Sequence, residues 1–520
     1  MTPLDPAKLP AGALPNPLIP GFNPDPSIVK VGGDYYLATS TFEYLPGIPV
    51  YHSTDLLSWT RIGHVVDREG QLDSRDVPTL GGAWAPTIRF HDGLFYVAVT
   101  DAMARGTLVF TATDPAGPWS DGLAIEGAIG IDQDLAWDED GTAYMSYSGL
   151  DTVSGTIDGH GGILQVRVDL ETGKALEEPR SVWSGTGLMF PEAPHLYKRG
   201  DYWYLMIAEG GTERGHSVSI ARGTSPAGPF EGNPANPILS ARSTDRPIQN
   251  TGHGDLVETP DGGWAMVLLG MRPKGMTRAF SALGRETFIT PVTWEDGWPV
   301  AEPVILNPRE GGFSYEDDFA DAELDGGWIA VRRFPGAFAS TEKDPGRLTL
   351  SSDGAGLDDA RPAFLGRRQQ SQVETISALV DAGVRESAGS SESGNGAGGL
   401  AVRYDEAHHY SIETDGTTIT ARARISSIEQ SWTHAAPAGP LELRIETREP
   451  ERGAGLNHLS PDTIALQAVI DGETVTLAEL DGRYLSAETA ASFTGRVSGV
   501  YASRGAVAFD WFRSTGREPS

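Results

Sequence analysis

Gly32–Ser40 reads GGDYYLATS, a tight glycine turn running into a strand crowded with aromatic and aliphatic side chains. The same phrase returns as HDGLFYVAVT from His91, EDGTAYMSYSG from Glu139, KRGDYWYLMIAEG from Lys198 and PDGGWAMVLLG from Pro260. Marked at Gly33, Gly93, Gly141, Gly200 and Gly262, the copies lie 60, 48, 59 and 62 residues apart. A unit of that length cannot bury so apolar a strand by itself, and stacking like units around an axis can; the expected fold is a five-bladed β-propeller.

A second strand type follows in at least two copies, YHSTDLLSW from Tyr51 and VFTATDPAGPW from Val109, with IARGTSPAGPF from Ile220 keeping the same turn and aromatic ending. These are expected to be outer strands of blades one, two and four. Composition agrees with short strands and tight turns: 64 Gly, 36 Pro, 12 Trp, 15 Tyr and 17 Phe in 520 residues. A chain of that length is expected to hold two domains, a propeller over 1–312 and a second domain over 313–520.

Counting back eight or nine residues from each marker gives Asp25, Trp84, Asp132, Glu192 and His253. Equivalent positions in blades face the same central space. Carboxylates, an indole and an imidazole, spread over more than 220 residues of sequence, are thereby expected to meet in one funnel. Asp25 is held between Pro24 and Pro26, whose fixed φ stiffens the backbone that carries it. Read singly, each residue has a plain explanation: a turn Asp, a strand-ending Glu, a core Trp, a structural His. Their common phase is what points to function. Carboxylates facing one another across a pocket suit glycosidic bond cleavage, in which one acid protonates the leaving oxygen and a carboxylate activates water. A third carboxylate crowds the acid and keeps its proton on.

The segments GFNPDPS (from Gly21), GGAWAPT (from Gly81), IDQDLAWDEDG (from Ile131), PEAPHLY (from Pro191), TGHGDLVE (from Thr251) and LGRET (from Leu283) resemble, in order and spacing, glycoside hydrolase family 43. The likeness covers nearly the whole chain and is nearest to two-domain β-xylosidases and α-L-arabinofuranosidases. It implies that Asp25 is the general base, Asp132 the residue that tunes pKa and orients, and Glu192 the general acid. It further implies that Arg285 reaches into the sugar pocket, that Phe42 (in STFEYLPG) and Trp84 wall the first sugar subsite, and that His253 borders a calcium ion or its waters. Calcium prefers oxygen ligands and no EF-hand-like loop is present, so a metal at His253 would be held mainly through water and none is required. The lead into the acid, GTGLMFPEAPHLY from Gly185, departs from what close xylosidase relatives often carry and leaves the leaving-group side open.

Beyond AEPVILNPREGG (301–312), DDFADAELDGGW opens a new pattern, and RLTLSS, GGLAVRYD, HYSIETDG, LELRIET and IALQAVIDG alternate as strands of a two-layer, jelly-roll-like β-sandwich. The Gly- and Ser-rich stretch from Arg385 to Gly399 is expected to be a mobile loop. In the family such a sandwich helps close the pocket, and FTGRVSGVYASRG from Phe493 is the candidate segment; a purely stabilising or oligomer-forming role is the alternative.

The formal charge of −31 argues against nucleic acid and anionic membranes as partners. No apolar run reaches a membrane span, the first residues lack the marks of a leader, and there is no cysteine; a cytoplasmic protein is expected. The reading is thus an inverting, exo-acting β-D-xylosidase on xylo-oligosaccharides, with an α-L-arabinofuranosidase as the near alternative and a non-catalytic carbohydrate-binding propeller as the alternative of another class. Homo-oligomerisation stays open.

Overall fold

The structure, a computed structural model, describes residues 13–150, 162–383, 396–450, 460–491 and 493–518. It is all-β and divides into two compact units: Met1–Arg272 with Arg285–Arg309, and Pro273–Gly284 with Glu310–Ser520. Among the described residues no helix is long and apolar enough to cross a membrane.

The first unit is a five-bladed propeller of antiparallel sheets. The inner strands are Ser27–Val31, Gly82–His91, Ile131–Trp137, Glu192–Arg199 and Gln249–Glu258, and neighbouring inner strands touch around the ring. The repeated aromatic phrases form the second strands, Asp34–Ala38, Leu94–Ala102, Ala143–Ser148, Tyr202–Glu209 and Trp264–Met271. They bury residues on both faces because the apolar clusters lie between blades. Tyr35 and Leu37 pack with Val267 and Ile289 where blade five meets blade one, Val109 with Met145 and Val166 between blades two and three, and Tyr204 and Met206 with Leu268 and Phe288 between blades four and five. The segments expected to be outer strands turn out to be third strands with their following turns: Gly47–Ser53, Gly106–Ala112 and Ser217–Gly223. Outside them lie Thr60–Val66 and the two-residue strands Leu123–Ala124 and Glu231–Gly232, too short to show a period in sequence.

The ring is closed by chain from its beginning. Asn16 exchanges backbone hydrogen bonds with Asn307, and its side-chain amide donates to the Ile289 carbonyl and accepts from the Ile289 N–H, at 2.9 Å each. Leu18 and Ile19 pair with Thr287 of the same blade.

The second unit is a sandwich of two sheets. One runs through Leu348–Ser351, Ala506–Arg517, Val373–Asp381, Leu441–Arg448, Thr463–Ile470 and Glu473–Asp481; the other through Ala363–Arg368, Val497–Arg504, Ala397–Asp405, His408–Thr414, Thr418–Ile425 and Ile428–Ala435. Val373–Asp381 and Leu441–Arg448 alternate strictly between buried and half-buried residues, the signature of a sheet with one face on the core. Pro273–Gly284 belongs with this unit rather than with the propeller span that the sequence suggested: Ser281 donates to Glu488 through its N–H (2.6 Å) and hydroxyl (2.8 Å). Of the stretch expected to be a mobile loop, residues 385–395 lie outside the described residues, and 397–399 instead open the strand Ala397–Asp405, whose glycines allow a close backbone approach.

Candidate active site

Each inner strand begins with a kink. Asp25, Ala85, Asp132, Ala193 and His253 all have left-handed backbones, with φ of 55°, 44°, 59°, 50° and 47°. In blades two to five the pairing register between inner and second strand slips at the same place. This is a β-bulge, which re-aims side chains at the cost of local strain, and strain of this kind gathers where function requires it. Three expected site residues, Asp25, Asp132 and His253, occupy the left-handed position itself. Trp84 and Glu192 sit one residue before it, so their phase differs by one from the count. The reason is the bulge: it adds a residue to one strand only, and a count from the turn cannot see it.

Asp25 accepts from Ser40 Oγ at 2.6 Å and from Arg285 Nη1 at 3.0 Å, and His253 Nδ1 lies 3.5 Å away. Arg285 also donates to Thr212 Oγ1 at 3.2 Å and lies over the Phe42 ring. Phe42 is buried beneath Trp84, edge to face at 6.4 Å, and Trp84 is half-buried. Asp132 accepts the Ala193 N–H at 3.0 Å, which ties it to the residue after Glu192.

The carboxylates perturb one another. Burial, then the charge of Asp25, pushes Asp132 up to about 7 despite the Ala193 N–H and Arg285. Burial, then Asp132 and Asp25, raises Glu192 well above the usual carboxylate range. Glu192, whose pKa burial and its neighbours raise, keeps 17% of its side chain exposed, against 6% for Asp25. Such a division of carboxyls by environment is how one site holds an acid and a base at one pH.

Beneath this layer lies a second that the sequence reading missed. Two residues further along the inner strands stand Ser27, Asp134, His195 and Asp255, and Arg89 joins them. Its guanidinium meets Asp134 at 2.7 Å, Asp255 at 2.9 Å and His195 Nδ1 at 2.9 Å. Asp255 also accepts from Ser27 Oγ, the Ile28 N–H and Tyr197 Oη, so its pKa lies far below the usual value, with Arg89 the leading favourable cause after the burial it overcomes. Asp134 and Asp255 stood in the segments IDQDLAWDEDG and TGHGDLVE, but the bulges at Asp132 and His253 break the strand period, so alternation along the chain could not show which face they take. Glu209, fully buried, holds Thr186 of the GTGLMF lead through its N–H at 3.0 Å and its hydroxyl at 2.6 Å.

The surroundings of His253 do not make a protein-held calcium shell. Burial pushes its imidazole down to about 3, its neighbours include the rings of His195 and His216, and among the described residues no cluster of three or more acidic or His side chains is placed to hold a metal. Nitrogen donors of this kind suit calcium poorly.

The profile of glycosyl hydrolases family 43 matches residues 14–299. The chain belongs to that family. The profile of the β-xylosidase C-terminal concanavalin A-like domain matches residues 316–515, which assigns the sandwich. Over 96% of this chain and 94% of its own length, a non-reducing-end α-L-arabinofuranosidase of Bacteroides ovatus is 37% identical. A β-xylosidase of Bacillus subtilis is 33% identical over 72% of this chain and 76% of its own. The solved structure of a xylan β-1,4-xylosidase from Bacillus halodurans superposes with a TM-score of 0.84 at 29% identity, covering 96% of this chain and all of the other. As a family 43 member the protein is a glycoside hydrolase acting on oligosaccharides, which decides against the binding-only propeller.

Proposed function

We propose that the protein is an inverting, exo-acting glycosidase that releases a terminal pentose, β-D-xylose in the first instance, from xylo-oligosaccharides. The observation that carries this reading is the meeting of Asp25, Asp132 and Glu192, from three blades, with Glu192 holding its proton and Asp25 oriented by Ser40 and Arg285.

In this reading Asp25 takes a proton from water as the water oxygen bonds to the anomeric carbon. The bond from that carbon to the leaving oxygen breaks, and Glu192 gives its proton to that oxygen. Asp132 does not touch the broken bond; its proximity keeps Glu192 protonated. Inversion requires room for that water between acid and base, on general grounds a separation of about 6.5–9.5 Å, and their origin on separate blades supports such a spacing. Arg285 and Trp84 are assigned to the sugar, the former through planar paired donors and the latter through an apolar face.

A second reading, α-L-arabinofuranosidase, is favoured by the name of the Bacteroides ovatus relative, which spans nearly the whole chain. Hydrolysis of the two aryl pentosides side by side decides between them: turnover of the arabinoside without the xyloside would replace the first reading by the second. Proton NMR of the first-formed sugar from a β-xyloside is expected to show the α anomer, and an initial β anomer would end the inverting assignment. Glu192→Gln is expected to lower kcat on an unactivated substrate by about 10²- to 10⁴-fold while sugar binding survives; undiminished turnover would refute the assigned acid.

A further inference from the structure

His216 lies just before the strand Ser217–Gly223, 1% exposed, in the stretch that follows the Gly210–Gly211 turn. Its Nδ1 is 3.2 Å from the Asn250 backbone oxygen. A carbonyl oxygen only accepts, so Nδ1 carries the proton. Burial pushes the imidazole down to about 4, so the ring is neutral at ordinary working pH. Nε2 is then a bare lone pair, it is buried without a hydrogen-bond partner, and it stands 3.7 Å from Oε1 of Glu192.

The backbone is shaped to seat this ring. A Cβ at Gly252 would fall 2.4 Å from the His216 ring atoms Nδ1 and Cε1, so the glycine lets the imidazole lie flat on the inner strand of blade five. Asn250, whose carbonyl fixes the tautomer, is itself held by its amide donating to the Thr212 carbonyl at 3.1 Å.

The geometry points to His216 as a positioning residue for the acid: its Nε2 lone pair accepts the proton of the Glu192 carboxyl and holds that carboxyl protonated and aimed. The inference rests on Glu192 being the acid and adds the group that retains its proton. At 3.7 Å the contact is about 0.7 Å longer than a formed hydrogen bond, a gap that a small rotation of the flexible Glu192 side chain closes as substrate fills the site. The other groups facing Glu192 are Asp132, Asp25 and Glu213, which also favour its protonated form, and Arg285, which opposes it. Arg285 and Asp25 likewise face His216, with opposite effects on its ring. Against that background the lone pair acts by direction as well as by charge. An ionised Glu192 would present an oxygen lone pair to a nitrogen lone pair, whereas the protonated acid donates. During turnover the proton passes from Glu192 to the leaving oxygen, and His216 neither gains nor loses one.

The test uses the full chain and two glycosides of whichever pentose it hydrolyses: a 2,4-dinitrophenyl glycoside, whose phenolate leaves without a proton, and a phenyl glycoside, which needs one. His216→Asn keeps an amide N–H for the Asn250 carbonyl and removes the atom facing Glu192. It is expected to lose about tenfold or more in kcat/KM on the phenyl glycoside, to lose little on the dinitrophenyl one, and to move the basic limb of the pH profile down by about one pH unit. His216→Gln, which returns an acceptor near the Nε2 position, is expected to restore part of both. Equal losses on the two substrates with an unmoved basic limb would overturn the inference, as would a Gln variant no better than the Asn one. His216→Phe, which keeps the ring's bulk, takes the place of the Asn variant if circular dichroism shows that the latter does not fold. Glu192→Gln runs alongside: if it retains the phenyl glycoside, the acid assignment itself falls; if it loses it while the His216 variants do not change the profile, only the role of His216 falls.

Discussion

Asp132 shows how a single buried carboxyl costs stability. Its pKa in the folded protein is pushed up to about 7 from the ordinary aspartate value of 3.8, chiefly by burial and then by Asp25. Between those values the folded state holds a proton that the unfolded chain has released, so stability falls as pH rises through that window and the whole cost stands above pH 7. Asp132→Asn removes the ionisation and can still accept the Ala193 N–H through its amide oxygen. It is expected to raise the melting temperature at pH 8 by a few degrees, about 2–4 °C for each kcal/mol recovered, and to bring little gain near pH 4. Circular dichroism melts across pH check this, and an equal gain at both ends would show that ionisation is not the cause. At the same scale, the common phase of the repeats singled out Asp25, Asp132 and Glu192 as candidates, and the family resemblance singled out Arg285, but neither singled out His216. Nothing near His216 in the chain marks it, because the carbonyl that sets its tautomer belongs to Asn250 and the carboxyl it faces belongs to Glu192.

At the scale of elements, the inner strands are held around the axis by buried charge as well as by apolar packing, such as Ile28 with Val257 and Ala136 with Leu196. Arg89 of blade two reaches Asp134 of blade three, His195 of blade four and Asp255 of blade five. Its pKa is held above the usual arginine value, with the carboxylates Asp134 and Asp255 overcoming the burial that opposes them. Removing one partner of such a network leaves buried charges without compensation. Arg89→Met is therefore expected to destabilise the protein by about 3–5 kcal/mol, read as a lower urea midpoint with the slope unchanged. A loss below about 1 kcal/mol would mean that water or His195 replaces the guanidinium. The inner strands also explain the one-residue error in the sequence count. A turn is visible as glycine, but a bulge made by Ala85, Asp132, Ala193 or His253 has no composition of its own, since its φ is imposed by the blade around it.

For the whole molecule the decisive contact is the closure of the ring. Asn16 uses its side-chain amide as a further peptide group, satisfying both the N–H and the carbonyl of Ile289 in a fully buried place. Asn16→Leu strips both partners of their hydrogen bonds at about 1–3 kcal/mol each. In calorimetry the propeller transition is expected to fall by several degrees while the sandwich transition holds; movement of both together would show that the two units unfold as one. What the sequence by itself determined was everything that repeats or is local: five copies of a turn and an apolar strand, the alternation of the sandwich strands, and three carboxyls set at comparable points of separate copies. Such features follow from backbone periodicity and from side chains close in the chain, so they survive in one dimension. Only the tertiary structure decided which residues share the axis layer, that Arg89 ties all five blades together through Ser27, Asp134, His195 and Asp255, and that Pro273–Gly284 packs with the second unit. Those outcomes depend on burial and on charges brought close from distant segments, and both burial and charge proximity exist only once the ring has closed.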